Sequence, residues 1–291
     1  MSQKLRRVTT LGECSAEVSE WKTKGKIMAG DPVLYEGRYP AALITLNEPE
    51  HRNALSTRMI DGLMESIGRA EKDPRVRALV FTGVPPAFSA GMDLAELREL
   101  FDELKVGQNG IVWEGALRGE QLIERVYRLS KPSIAAVNGV AVGNGAGFLS
   151  ACDMAVASPG ARIGYTEMKH GIQAGMVILH LMRLVGERVA RWLLLTGALI
   201  TAEDAKALGL INEVVPEERL LATAMEWAEA IASNAPQAEA TTKSLLCRFS
   251  GQAIAMSMTE YTAAPHLSDE TREGLEAFFN KRQASWSLKK G

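Results

Sequence analysis

Residues 131–153 read KPSIAAVNGVAVGNGAGFLSACD. A Lys-Pro break opens the stretch, an apolar run follows at 133–137, and the pair Asn138-Gly139 marks a turn. Gly143, Gly145 and Gly147 then recur at alternate positions before small residues lead into Cys152-Asp153. The pattern predicts a strand, a turn and the N-terminus of a buried helix. Glycine at such a junction lets a ligand approach bare backbone. The first N–H groups of a helix have no internal acceptor and carry the positive end of its dipole. No Lys or Arg lies between Pro132 and Pro159, so a charged oxygen in this stretch would be held by amides. That suggests a site for an anion that develops during a reaction, an oxyanion hole. Two rival readings are close strand–helix packing without a ligand and a dinucleotide fingerprint. The second fits worse, because the spacing is G-x-G-x-G rather than G-x-G-x-x-G.

Toward the N-terminus, residues 33–36 and 41–46 read as two strands of a hairpin around a turn at 37–40. Ser56 is a good N-cap for a helix whose apolar positions Met59, Ile60, Leu63, Met64 and Ile67 share one face. Asp73-Pro74 stops that helix, and 78–82 reads as a buried strand. Residues 95–115 are charged, Gly-interrupted and weakly patterned, which suggests a mobile segment. Leu122, Ile123, Val126 and Leu129 mark a further helix. Toward the C-terminus, 154–157 and 162–164 are short strands, and helices are expected from 177 onward with Arg183 facing out. Thr201 and Asp204 form a capping pair, and 211–215 is a last strand. Helices are expected over 217–234, 237–249, 252–264 and 269–282. Strand–helix alternation followed by a helical tail predicts an α/β core. The expected organisation is an N-terminal extension over 1–30, a core over 31–200 and a helical region over 201–291.

The chain has 291 residues, 46% of them hydrophobic, enough for a sizeable core. Net charge is -2 with no long basic run, so no nucleic-acid face is expected. The N-terminus through Lys26 has no apolar run of a secretory signal, and no run of ~18 apolar residues predicts a membrane span. Three widely spaced cysteines, Cys14, Cys152 and Cys247, give neither a disulfide framework nor zinc spacing. A reducing, cytoplasmic location follows as the expectation, and Cys152 reads as buried and inert. Glu167 and His170 make a Glu-x-x-His pair, a possible metal half-site, but the histidines show no further ligand spacing and no metal is expected.

Several motifs then coincide in order: 48–55 (EPEHRNAL), 87–94 (AFSAGMDL), the central glycine stretch, Tyr165-Thr166-Glu167, Leu195-Thr196-Gly197 with Ala202, Ala205, Gly209 and Leu210, and 279–282 (FNKR). Together they resemble the crotonase superfamily, the enoyl-CoA hydratases and isomerases, over roughly 33–285. The resemblance implies a spiral of ββα repeats, a C-terminal all-α trimerisation region, and assembly as a homotrimer or dimer of trimers. It also implies an acyl-CoA thioester substrate that carries its own coenzyme A, with no other cofactor, and an enolate-like intermediate.

By position in that pattern, the thioester oxygen is held by the N–H groups of Met92 and Asn144, with Glu167 as acid/base. The family usually has Gly where this chain has Asn144. Its hydratases place two glutamates over the substrate; here the first position is Gly147 and only Glu167 remains. A single carboxylate suits a 1,3-proton shift, whereas hydration wants one group to activate water and another to protonate carbon. The expected activity therefore leans to double-bond isomerisation. Hydration remains open if Glu114, Glu120 or Glu124 reaches in from the preceding helix. A non-catalytic CoA-ester-binding protein, thioester hydrolysis and C–C cleavage also stay open. The resemblance places the CoA portion against Arg52, Asn53, Ala54, Ala90 and Leu94, with Arg52 and Lys281 toward phosphates. Asp93 is expected to fix its loop rather than to do chemistry.

Overall fold

The computed structural model describes residues 30–96, 109–170 and 174–250, with 273, 280, 282 and 285 beside them. Residues 1–31 group apart from 32–291, and the fold below belongs to the latter. In chain order the strands are β1 (Val33–Arg38), β2 (Ala41–Leu46), β3 (Ala78–Gly83), β4 (Ala87–Ser89), β5 (Ser133–Val137), β6 (Val140–Val142), β7 (Met154–Ala157), β8 (Arg162–Gly164), β9 (Leu199–Thr201) and β10 (Glu213–Val214). The helices are α1 (Thr57–Lys72), α2 (Asn109–Tyr127), α3 (Asn144–Ala151), α4 (Ile178–Thr196), α5 (Ala202–Ala207), α6 (Leu220–Ala232) and α7 (Pro236–Phe249).

The order β1-β2-α1, β3-β4-α2, β5-β6-α3 repeats one unit three times, and β7-β8 begins a fourth. From the second unit on, the first strand joins a large sheet of order β1-β2-β3-β5-β7-β10 and the second a small sheet of order β4-β6-β8-β9. Each repeat thus advances one place along both sheets, which makes a spiral. Only β1–β2 and β8–β9 pair antiparallel; the other pairs are parallel.

The large sheet is covered on both faces, which is why its strands read as nearly unbroken apolar runs. Ala42, Ile44, Leu79, Phe81, Ala135 and Val137 pack toward α1, α2 and α3. The alternate residues Leu43, Val80, Ile134 and Val156 pack against Leu220, Ala224, Ala228 and Ile231 of α6. Local signals held where local chemistry suffices. Ser56 Oγ accepts from Met59 N at 3.1 Å and opens α1. Thr201 and Asp204 bond reciprocally at the start of α5. The 33–46 hairpin forms with Val33 opposite Leu46.

Other expectations are corrected. β4, β6 and β9 form in stretches that carry no strand pattern. Each is three residues long and gains its hydrogen bonds from neighbouring repeats, so no periodicity announces it. The segment read as mobile over 95–115 becomes helix from Asn109, while 97–108 lies outside the described residues. Arg183 does not face out: its guanidinium donates to the Ser150 carbonyl at 3.1 Å and lies 4.2 Å over the Tyr127 ring. α4 is broken at Gly186, where φ is 73°. The helix expected over 252–264, Lys281, and all of the helix expected over 269–282 except 273, 280 and 282 lie outside the described residues; of those three, Glu273 is helical. No helix among the described residues is long and apolar enough to cross a membrane.

Candidate active site

The small sheet delivers the site. β4 and β6 run parallel with Ser89 beside Ala141, and β6 and β8 run parallel with Val142 beside Gly164. Their C-terminal ends therefore emerge side by side. The chain leaves β4 into Ala90-Gly91-Met92, leaves β6 into Gly143-Asn144, and leaves β8 into Tyr165-Thr166-Glu167. Three segments spread over more than seventy residues of chain become neighbours because each follows the second strand of its own repeat.

The Gly91 turn is held tightly. Ala90 N donates to the Arg52 carbonyl at 2.9 Å, Leu55 N to the Gly91 carbonyl at 2.7 Å, and Gly91 N to Ser89 Oγ at 3.2 Å. Gly91 has φ +82°, and a Cβ there would lie 2.5 Å from the Val142 carbonyl oxygen and 3.1 Å from Asn144 N. The Met92 and Asn144 segments therefore touch across a glycine with no spare room. Gly143 also has positive φ, +55°, and caps α3 without a side-chain bond. The first bond of α3 runs from Gly147 N to the Gly143 carbonyl at 2.9 Å, so the Asn144 N–H precedes the helix's own ladder. Among the described residues neither the Met92 nor the Asn144 N–H meets an acceptor.

Glu167 opens a turn of 3-10 helix, Glu167–His170, directly after β8. Its carboxyl carbon and one oxygen lie 3.7 Å from where a Cβ on Gly143 would stand. The carboxylate therefore faces the residue immediately before Asn144. Both carboxylate oxygens are buried and neither has a hydrogen-bond partner among the described residues. Burial pushes the Glu167 carboxyl above the ordinary carboxylate range. A buried carboxylate left unpaired costs stability, and such groups concentrate where chemistry needs them.

Gly147 lies one turn into α3. A Cβ on it would fall 2.3 Å from Val177 Cγ1 and 3.3 Å from Ile123 Cδ1. The position is bare because two apolar side chains, from the turn preceding α4 and from α2, already fill the space beside it. Neither Glu120 nor Glu124 reaches in. Glu120 is exposed, and Glu124 pairs with Arg128 with its side chain 42% exposed. The Glu114 side chain lies outside those described.

The other expected site residues divide by what they hold. Asn53 is fully buried with φ +55°; its Oδ1 accepts from Glu48 N at 2.9 Å, and its Nδ2 donates to the Val84 and Ala87 carbonyls at 2.9 and 2.7 Å. The Asn53 side-chain amide thus ties its own loop to the turn between β3 and β4, and its backbone carbonyl accepts from Ser89 Oγ at 2.8 Å. Asp93 Oδ1 accepts from Ala95 N and Glu96 N at 2.8 and 3.3 Å, which fixes the chain just past Met92. Ala54 is buried, Ala90 half-buried, and Leu94 is 49% exposed. Arg52 is exposed with φ 51° beside the Ala90 strand, and its side chain has no partner among the described residues. Cys152 is buried with its thiol pushed up by burial, so it is no nucleophile. Sequence reasoning missed Val177, Ile123 and the Tyr165–Ser150 pair described below. The sole local signal for the first two was the bare Gly147.

The Gly91 turn, the start of α3 and the buried Glu167 carboxylate, without a hydrogen-bond partner among the described residues, are thus gathered at one place. Residues 38–289 match the family described as enoyl-CoA hydratase/isomerase, and the chain belongs to that family. A Thermus thermophilus protein, named provisionally as an enoyl-CoA hydratase, is 44% identical over 83% of this chain and 95% of its own length. A short-chain-enoyl-CoA hydratase of Clostridium acetobutylicum is 33% identical over 86% of this chain and 95% of its own. Among solved structures, an enoyl-CoA hydratase of Mycobacterium smegmatis superposes with a TM-score of 0.81 at 30% identity, covering 88% of this chain and 99% of that one. The crotonase fold expected from the motifs is thereby the fold of this protein.

The Gly91 contact gives a direct test of the two-donor arrangement. Gly91→Ala must place a methyl 2.5 Å from the Val142 oxygen at a positive φ that disfavours it. The Met92 and Asn144 segments are then forced apart. Turnover of a competent ester should fall at least ~100-fold, since small misplacements at a reacting centre cost that much. Steady-state assays and thermal unfolding measure the loss. Wild-type turnover would show that the Gly91 approach does not set the hole.

Proposed function

We propose that the protein acts on acyl-CoA thioesters bearing a carbon–carbon double bond, and that its preferred reaction is a shift of that bond. The carrying observation is that Glu167 is the one carboxylate, among the described side chains, facing the segment that bears the two donors, while Val177 and Ile123 fill the space beside Gly147. The Glu167 carboxylate takes a proton from the carbon next to the thioester. The electron pair moves onto the thioester oxygen, where the Met92 and Asn144 N–H groups hold the developing charge. The same carboxyl then returns the proton two carbons further along, and the double bond ends one position over. Atoms balance without water and without a cofactor beyond the CoA on the substrate.

Hydration is the second reading, supported by the names of the relatives. It needs an acid that the described side chains do not place beside Glu167. Exposed Arg52 suits a phosphate of the CoA portion. Exposed Leu179, Met182, Trp192 and Leu195 on α4 suit contacts with further copies, in keeping with a trimer or dimer of trimers.

A panel of Δ2- and Δ3-enoyl-CoA esters, assayed for water addition, bond shift and free CoA, tests the reading. Bond shift should exceed hydration. Rapid hydration with little shift favours the second reading, and binding without any turnover marks a non-catalytic CoA-ester protein. For the bond shift Glu167 must start deprotonated. The activity should therefore fall as pH drops through a value above the ordinary carboxylate range, because burial has raised that group.

A further inference from the structure

Tyr165 stands two residues before Glu167 and is, among the described residues, the largest side chain that is fully buried. Its hydroxyl lies 2.6 Å from Ser150 Oγ. Ser150 Oγ is 2.7 Å from the Ala146 carbonyl, an acceptor only, and so spends its single proton there. Tyr165 O–H is therefore the donor to Ser150. Ser150 and Ala146 belong to α3, the helix that begins at Asn144. The Ser150 carbonyl is in turn held by Arg183 of α4 at 3.1 Å.

Packing alone does not call for this hydroxyl, since Phe fills nearly the same space among apolar neighbours. The bond ties together two parts of the site by side chains, beside the approach of Glu167 to Gly143. One end is the helix carrying the Asn144 donor; the other is the segment carrying Glu167, whose own carboxylate has no hydrogen-bond partner among the described residues to orient it. We infer that Tyr165, through Ser150, is a positioning residue that fixes the Glu167 carboxylate relative to the Asn144 N–H and keeps water from it. The inference rests on the proposed role of Glu167.

In Tyr165→Phe the bond is gone and the 165–167 segment can drift from α3. The expected result is a fall in kcat of about 10- to 100-fold with KM little changed. As water reaches the loosened carboxylate, the acid limb of the pH–rate profile should also move down toward the ordinary carboxylate range. Ser150→Ala, which keeps the Tyr165 ring in place, serves as the second variant and should show the same two changes. The double variant should be no slower than the slower single one, since all three lose one shared bond. Unchanged kcat with an unmoved acid limb in both single variants overturns the inference, even if thermal stability falls. Glu167→Gln assayed alongside separates the two claims. An inactive Glu167→Gln with normal Tyr165→Phe sinks only the positioning role, whereas an active Glu167→Gln sinks the proposed chemistry on which that role depends.

Discussion

Glu167→Gln should lower turnover about 10²- to 10⁴-fold, the range associated with losing a positioned acid/base group, while binding of the CoA ester survives. Gln keeps the shape of the side chain and cannot shuttle the proton. The two backbone donors and the loops around Asn53 are untouched, so the ester should still be held. Stability provides an independent signature. Burial raises the folded-state pKa of Glu167 above its unfolded value. Below the unfolded value the group is protonated in both states and carries no penalty. As pH rises through the raised folded value, the folded protein must hold an unpaired buried charge, and stability is lost. Gln suffers no such loss. At neutral pH the Glu167→Gln protein should unfold at an equal or higher Tm than wild type, with the difference closing in acid. Calorimetry at both pH values and a binding titration with a non-reacting CoA ester measure the two effects. Near-wild-type turnover in this variant would end the assignment.

The second large effect concerns the place where the resemblance puts a second glutamate in hydratases. Gly147→Glu alone should not create a hydratase. Its Cβ would stand 2.3 Å from Val177 Cγ1 in a fully packed region. Overpacking of this kind costs about 1–3 kcal/mol or more, and a carboxylate beside Val177 and Ile123 adds a desolvation cost. The expected product is a less stable chain that loses the proposed bond shift. Removing the obstructing methyl by Val177→Ala in the same chain should recover much of the stability lost in Gly147→Glu. The double variant then has two carboxylates flanking the thioester, and water addition to Δ2 esters should rise above that of wild type. Thermal unfolding and the hydration assay measure both outcomes. If Gly147→Glu alone kept the wild-type Tm, Val177 would not occupy that place. If the stable double variant gained no hydration, a missing carboxylate would not be what limits water addition.

Much of this architecture was legible because its signals are local. The Ser56 cap, the Thr201–Asp204 box and the 33–46 hairpin each involve residues within one or two turns of one another, and the chemistry that forms them is written in adjacent letters. Close approach at the glycines of 143–147 was legible in the sequence; what approaches them was not. Gly143 does face a functional group, the Glu167 carboxylate, but Gly145 and Gly147 are bare for Ser89, Val177 and Ile123 rather than for a ligand. The error has a physical source: a glycine shows that something approaches and does not show what.

Arg183 failed for a related reason. A lone cation on an apolar helix reads as solvated, and only the folded chain shows it spanning the Tyr127 ring and the Ser150 carbonyl. The strands β4, β6 and β9 are made by pairing between repeats and leave no trace in three residues of sequence.

By itself, the order of residues determined the helices through 249, the strands of the large sheet, and the short list of groups able to carry the chemistry. The tertiary structure decided which of those groups meet. It brought the ends of β4, β6 and β8 together, left both oxygens of Glu167 without partners among the described residues, and filled the space beside Gly147 with Val177. Those outcomes depend on contacts between residues tens of positions apart, and their distances are set by the lateral spacing of paired strands rather than by any spacing along the chain.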